Sequence, residues 1–197
     1  MTVPDVEEAV ALYAAGWFPM DGPGYAAEPL PFFAARERAV LELDEAARAA
    51  LRRRLRRSLR RGAGWRLERD RAFARVLDAC ARPRAAGDEV WITPRLRELY
   101  RRLHAAGVAH SFELWEGDET LAGILAVRLG RAAMLESMVH WRPDAGNVLL
   151  VRTVDALAAE GVELCDVQLP TPHTERLGAR LIPRAAYEAR LRAAQAP

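Results

Sequence analysis

The stretch that most restricts the fold runs from residue 109 to residue 138. Three apolar segments, Ala109–Glu116, Thr120–Leu129 and Ala132–Met138, are separated by Gly117-Asp118 and Gly130-Arg131. Glycine reaches left-handed backbone at little cost, so links this short can reverse the chain directly. Strands joined so closely pair antiparallel, because a parallel pairing needs a crossover of a dozen residues or more. A three-stranded meander is therefore expected at the centre of the chain.

Helical patterns flank the meander. In Asp5–Ala15, Val6, Val10 and Tyr13 recur at helical spacing, with Gly16 as the stop. Asp44–Arg61 reads as one helix capped by Asp44. Asp70 can cap a helix carrying Phe73, Val76, Leu77 and Cys80. Thr93-Pro94 opens a helix whose apolar stripe is Leu96, Leu99, Tyr100 and Leu103, ended by Gly107. Asp144–Glu160 and Arg184–Ala194 complete the helices, and Arg38–Leu43 reads as a short strand. Between them, WFPMDGPGYAAEPLPFF is an irregular, aromatic-lined segment. Helices, then antiparallel strands, then a helix and a further strand give an α+β class. The boundary is expected near residue 45, with a small N-terminal domain at 1–45 and the larger domain at 46–197.

The order of elements resembles an N-acyltransferase (GNAT-related) core. The glycine-rich loop such a core uses for a coenzyme A pyrophosphate is missing after Met138, where His140-Trp141-Arg142-Pro143 stands. An acyl-CoA donor is therefore disfavoured.

The chain has 197 residues and a formal charge of +2, so net charge says little about partners, and its distribution says more. All 29 basic residues are Arg. They crowd into RAALRRRLRRSLRRGAGWRLERDR, where no acidic residue stands between Arg48 and Glu68. A solvated helix face is the ordinary reading of such a run. The density of unscreened charge favours a polyanion instead, since guanidinium groups hold phosphate with two parallel hydrogen bonds. The apolar stripe of Leu51, Leu55, Ser58 and Leu59 is narrow for a membrane-surface helix. No run approaches 18 apolar residues, and the acidic MTVPDVEEAV does not read as a signal peptide. Cys80 and Cys165 fall among apolar residues, so no disulfide framework and a reducing compartment are expected.

Chemistry concentrates in two strands. Glu136 lies inside an apolar strand, with Met134 and Met138 expected on its face. Asp166 and Gln168 alternate with apolar residues, so both should join Leu164 on one face. Burying such groups costs free energy unless each finds a partner, so a polar cluster is expected there. The histidines His104, His110, His140 and His173 lack metal-ligand spacing. No phosphate loop and no nucleophile elbow occur, so covalent catalysis has no candidate.

The chain resembles the leucyl/phenylalanyl-tRNA–protein transferases. The matching pieces, in order, are LYAAGWFPM, RRSLRRG, AFARVLDACA, VWIT, LYRRLHAAGVAHSFELW, LAGILAV, ESM, DVQ and HTERLGARLIPR. The resemblance implies transfer of an apolar amino acid (Leu, Phe or Met) from aminoacyl-tRNA to the α-amine of a protein beginning with Arg or Lys. That reaction marks the acceptor for the N-end rule pathway. It implies no cofactor and no metal, a cytoplasmic location and a monomer. Glu136 would face the acceptor's basic end, while Asp166 and Gln168 would orient or deprotonate the attacking amine. Trp91 would stand near the terminal adenosine. Met134, Ile124, Leu150, Leu157 and Cys165 would line the donor pocket, although strict alternation sets Cys165 on the face opposite Asp166. Arg52, Arg53, Arg56, Arg57, Arg60 and Arg61 would hold tRNA. The sequence departs from the family at Phe32-Phe33-Ala34-Ala35, at Leu135 and at Val139-His140. Transfer to another amine, or an inactive RNA-binding relative, stays open at this point.

Overall fold

The computed structural model describes residues 3–25, 28–83 and 90–196. Helix α1 (Val6–Ala14) is capped by Asp5, whose carboxylate accepts from Glu8 N–H at 2.8 Å. The aromatic segment contributes β1 (Phe18–Pro19) and β2 (Phe32–Phe33), a two-stranded antiparallel sheet. Strand β3 (Glu37–Leu41) follows.

The helix expected at 44–61 is two helices, α2 (Glu45–Arg54) and α3 (Arg56–Arg61), broken at Leu55. The break lets the second piece turn onto a neighbouring helix, where buried Ser58 donates to Asp144 Oδ1 at 2.6 Å. Strand β4 (Arg66–Arg69) carries no apolar alternation and was not expected. It pairs along one edge of the meander.

Helix α4 (Phe73–Cys80) is not capped by Asp70. Asp70 adopts left-handed backbone at φ 59° and instead holds Ser111 N–H at 2.7 Å and His110 Nδ1 at 2.7 Å. The Glu113 carboxylate takes the N–H groups of Arg71 and Ala72 at 3.3 and 3.2 Å just before the helix starts. Helix α5 (Pro94–Ala105) begins at Thr93 and buries its expected stripe.

The meander forms as β5 (Ala109–Glu116), β6 (Glu119–Leu129) and β7 (Ala132–His140). Then come α6 (Ala145–Ala159), β8 (Leu164–Asp166), α7 (Pro172–Leu177), β9 (Arg180–Pro183) and α8 (Arg184–Gln195). One mixed sheet runs β4-β5-β6-β7-β8-β3-β9. Its parallel pair is β7 with β8, connected through α6 as such a pairing requires. Strand β3, from the first 45 residues, sits inside this sheet between β8 and β9.

Successive residues of β6 fall into two separate cores. Leu125 and Val127 join Leu96, Leu99, Leu103, Met134 and Leu191. Ile124 and Ala126 join Leu135, Val148, Val151, Leu157 and Cys165. Side chains alternate across a strand, so these cores are the two faces of the sheet, each covered by helices. Helix α4 approaches β6 closely: a Cβ on Gly123 would lie 2.4 Å from Val76 Cγ2. Only glycine permits that contact.

Candidate functional site

The β6–β7 register slips between Leu125 and Ala126, and Glu136 is the extra residue opposite the slip. A bulge re-aims the side chains that follow it. Met134 stays in the first core, and Met138 packs against the second. The expectation that Met134, Glu136 and Met138 share one face is corrected by this bulge.

Gln168 likewise lies outside strict alternation. Strand β8 ends at Asp166, and Gln168 takes left-handed backbone at φ 63°. Its N–H returns to Asp166 Oδ1 at 2.6 Å, an Asx-type turn that holds the strained residue. Ala39 N–H donates to Gln168 C=O at 2.9 Å, and Val167 N–H to Ala39 C=O at 2.8 Å. The turn swings the amide back to Glu136, and Gln168 Nε2 donates to Glu136 Oε2. Tyr100 O–H donates to the same oxygen at 3.1 Å.

Asp166 is fully buried and fully engaged. Arg38 forms an ion pair with its Oδ2, Tyr187 O–H donates to Oδ2 at 2.8 Å, and Gln168 N–H takes Oδ1. The Arg38 guanidinium is stacked between Phe18 and Tyr187, its Cζ 4.6 and 4.7 Å from the two ring centres. Burial works against the Arg38 charge, but Asp166, with Tyr187 and Glu136, offsets it and holds the pKa above its ordinary value.

Two polar atoms in this cluster have no hydrogen-bond partner among the described residues: Glu136 Oε1 and Arg38 Nη1. Burial pushes the Glu136 pKa up to about 7, with Asp166 adding to it and with Arg38, Tyr100 and Gln168 opposing. Burial likewise raises Tyr13, Tyr100 and Tyr187, so all three remain neutral hydroxyls. Tyr13 O–H stands 3.5 Å from Tyr100 O–H and extends the chain of polar groups inward.

Glu136 is among the residues lining a cavity of about 980 Å³. Its walls include Leu41, Ile124, Leu135, Met138, Leu150 and Leu177, and Glu136 is the sole carboxylate among the described lining residues. Of the expected pocket residues, Ile124 and Leu150 line it. Cys165 does not: it lies in the second core, opposite Asp166, and burial with Asp166 pushes its thiol pKa up to about 12. Met134 faces the first core, and Leu157 packs deep in the second. Trp91 is half-buried against the first core and does not line the cavity.

The Arg tract divides. Arg53, Arg56, Arg57 and Arg60 are exposed, with no ion pair among the described residues. Arg52 is committed to Glu45 and to Asp155 at 2.5 Å, and Arg61 to Asp144 at 2.5 Å. Among the described residues no three His, Cys, Asp or Glu side chains group as metal ligands. No described helix is long and apolar enough to cross a membrane.

Arg38, Tyr13, Tyr100 and Tyr187 escaped the sequence reading. Tyr13 and Tyr100 read as members of apolar helix stripes, and their hydroxyls carry no periodic signal. A signal for Arg38 did exist: a buried Asp166 demands a cation, and Arg38 opens the apolar run Ala39–Leu41.

Comparison with known proteins gives this chain its relatives. The family model for leucyl/phenylalanyl-tRNA protein transferase matches residues 40–192. Leucyl/phenylalanyl-tRNA–protein transferase of Anaeromyxobacter sp. (strain K) is 46% identical over 186 residues, 94% of this chain and 77% of the relative. The transferase of Stutzerimonas stutzeri (strain A1501) is 39% identical over 92% of this chain and 77% of its own length. Among solved structures, FemX superposes over 90% of this chain with a TM-score of 0.57 at 12% identity, a likeness of fold. This chain spans 66% of the FemX chain. With the match covering most of its length, the chain belongs to the leucyl/phenylalanyl-tRNA protein transferase family of aminoacyltransferases.

Proposed function

We propose that this protein transfers an apolar amino acid, Leu, Phe or Met, from aminoacyl-tRNA to the α-amine of a protein that begins with Arg or Lys. In this reading it works as a monomer in the cytoplasm, feeds the N-end rule pathway, and uses an N-acyltransferase-like domain. The observation that carries it is Glu136, which lines the cavity beside Ile124 and Leu150 and accepts a hydrogen bond from Gln168.

An aminoacyl ester is already activated, so the enzyme has mainly to align two substrates. The amine nitrogen attacks the ester carbonyl, the C–N bond forms, the ester C–O bond breaks, and the amine proton passes to the departing ribose oxygen. With its NH₂ committed to Glu136, the Gln168 amide directs its carbonyl oxygen elsewhere, free to accept from the attacking amine. Glu136 Oε1, buried and without a hydrogen-bond partner among the described residues, would pair with the acceptor's cationic end, and a carboxyl titrating near 7 can exchange protons at neutral pH. Asp166 touches no substrate; with Arg38 it fixes the Gln168 turn. Ile124 and Leu150 in the wall favour apolar donors, at roughly 1–3 kcal/mol for each methylene. Exposed Arg53, Arg56, Arg57 and Arg60 would meet the tRNA backbone.

The test is incubation with radiolabelled leucyl-tRNA and peptides beginning with Arg, Lys or Ala. Label should enter the first two. Absence of transfer to every peptide, with tRNA still bound, would refute the reading.

A further inference from the structure

Trp141 is one of few large apolar side chains left open, at 40% exposure. Its backbone is fixed, with N–H donating to Leu121 C=O at 2.8 Å. The Arg75 guanidinium lies over the indole, 4.9 Å from the ring centre. The indole also lines the cavity that holds Glu136. Exposed Arg82 and Arg176 line the same cavity, and neither has an ion pair among the described residues. Most other arginines near a carboxylate do pair, including Arg95, Arg97, Arg128 and Arg142. Burial first, then Arg176 and His140, hold His173 on this rim below its ordinary pKa. A part-exposed indole beside unpaired guanidinium groups is the chemistry that binds a single nucleic-acid strand: bases stack and phosphates are neutralised.

Resting on the tRNA-dependent reading above, we infer that this rim is a subsite for the unpaired 3′ strand of the donor. One nucleobase stacks on Trp141, whose ring Arg75 steadies, and Arg82 and Arg176 meet the flanking phosphates. The subsite is separate from the exposed arginines of α3. It leads the ester-bearing end into the cavity toward Glu136.

Two measurements test it on the full chain. The first is the KM for leucyl-tRNA in wild type, Trp141→Ala and Trp141→Phe. The second is the affinity, by fluorescence anisotropy, for a labelled single-stranded RNA hexamer ending in cytidine-cytidine-adenosine. Trp141→Ala should raise both the KM and the hexamer Kd about tenfold, with Trp141→Phe restoring most of the loss. Arg82→Ala/Arg176→Ala should weaken hexamer binding and lower its salt dependence by roughly 0.7 for each phosphate no longer neutralised. Unchanged KM and Kd in a folded Trp141→Ala variant would overturn the subsite while leaving the transferase reading intact. A wild type that binds the hexamer through Trp141 yet transfers no leucine would instead sink the transferase reading.

Discussion

Arg38 and Asp166 stand 128 residues apart in sequence and form an ion pair sealed inside the protein, with Arg38 2% and Asp166 0% exposed. The pair does not reach the cavity; it holds the turn that presents Gln168. Removing one partner leaves an uncompensated buried charge, which costs more than the pair contributes. Arg38→Met should therefore destabilise the fold by about 3–5 kcal/mol in urea denaturation. Adding Asp166→Leu should recover part of that loss. A cost below about 1 kcal/mol for Arg38→Met would show that Asp166 does not depend on it.

Glu136 gives a pH signature. Its folded pKa is raised, from an ordinary 4.5 to about 7, mainly by burial. A raised carboxyl contributes stability that is fully present below 4.5 and is lost as pH rises through 7. The loss is on the order of 3 kcal/mol. Glu136→Gln removes this titration, so its stability relative to wild type should grow between pH 4.5 and 7.5. Parallel stability curves for the two proteins would contradict the assignment.

Gln168 is expected to act in alignment. Gln168→Ala should slow transfer about a hundredfold while leaving the melting temperature within a few degrees, because a small misplacement of a reacting group has that effect. Gln168→Gly relieves the left-handed backbone but removes the amide, so it should match the alanine variant in rate. If either variant transfers at the wild-type rate, the amide is only structural.

The basic helices should separate into two classes. Arg56→Ala/Arg57→Ala/Arg60→Ala removes exposed charges and should weaken tRNA binding, lowering the salt slope by about one for each phosphate left without its arginine. Arg52→Ala instead breaks the ion pairs to Glu45 and Asp155. Its effect should fall on thermal stability, by less than about 1 kcal/mol, as for other part-exposed pairs. Equal salt slopes for wild type and the triple variant would remove α3 from the tRNA surface.

Gly123→Ala tests the packing behind the site. The new methyl meets Val76, so the helix or the strand must shift, at a cost of about 1–3 kcal/mol. Adding Val76→Ala should relieve most of it.

Much of the architecture was legible because local chemistry dictates it. Gly117 and Gly130 turn the meander at φ 57°, and Thr93-Pro94 starts α5. The period of the apolar residues placed most helices. Strand β4 was invisible because Arg66, Glu68 and Arg69 carry no apolar alternation at a sheet edge. The break at Leu55 was invisible because a helical stripe continues across it.

The sequence alone determined the inventory: two carboxylates and an amide among apolar residues, an arginine-dense tract, and a matching order of motifs. For Cys165 the sequence left a conflict between alternation, which sets it opposite Asp166, and the donor pocket that the resemblance implies; the structure places it in the second core, outside the cavity lining. What only the tertiary structure decided is where those groups point. The bulge at Glu136 and the left-handed turn at Gln168 both break the period that a sequence reader relies on. Glu136 takes its partner from Tyr100 on another element, and the turn at Gln168 is held by nearby Asp166, which is itself fixed by Arg38, 128 residues away. A periodic pattern encodes only nearest neighbours along one element, whereas a buried polar group takes its partner from whatever the fold brings within hydrogen-bond reach.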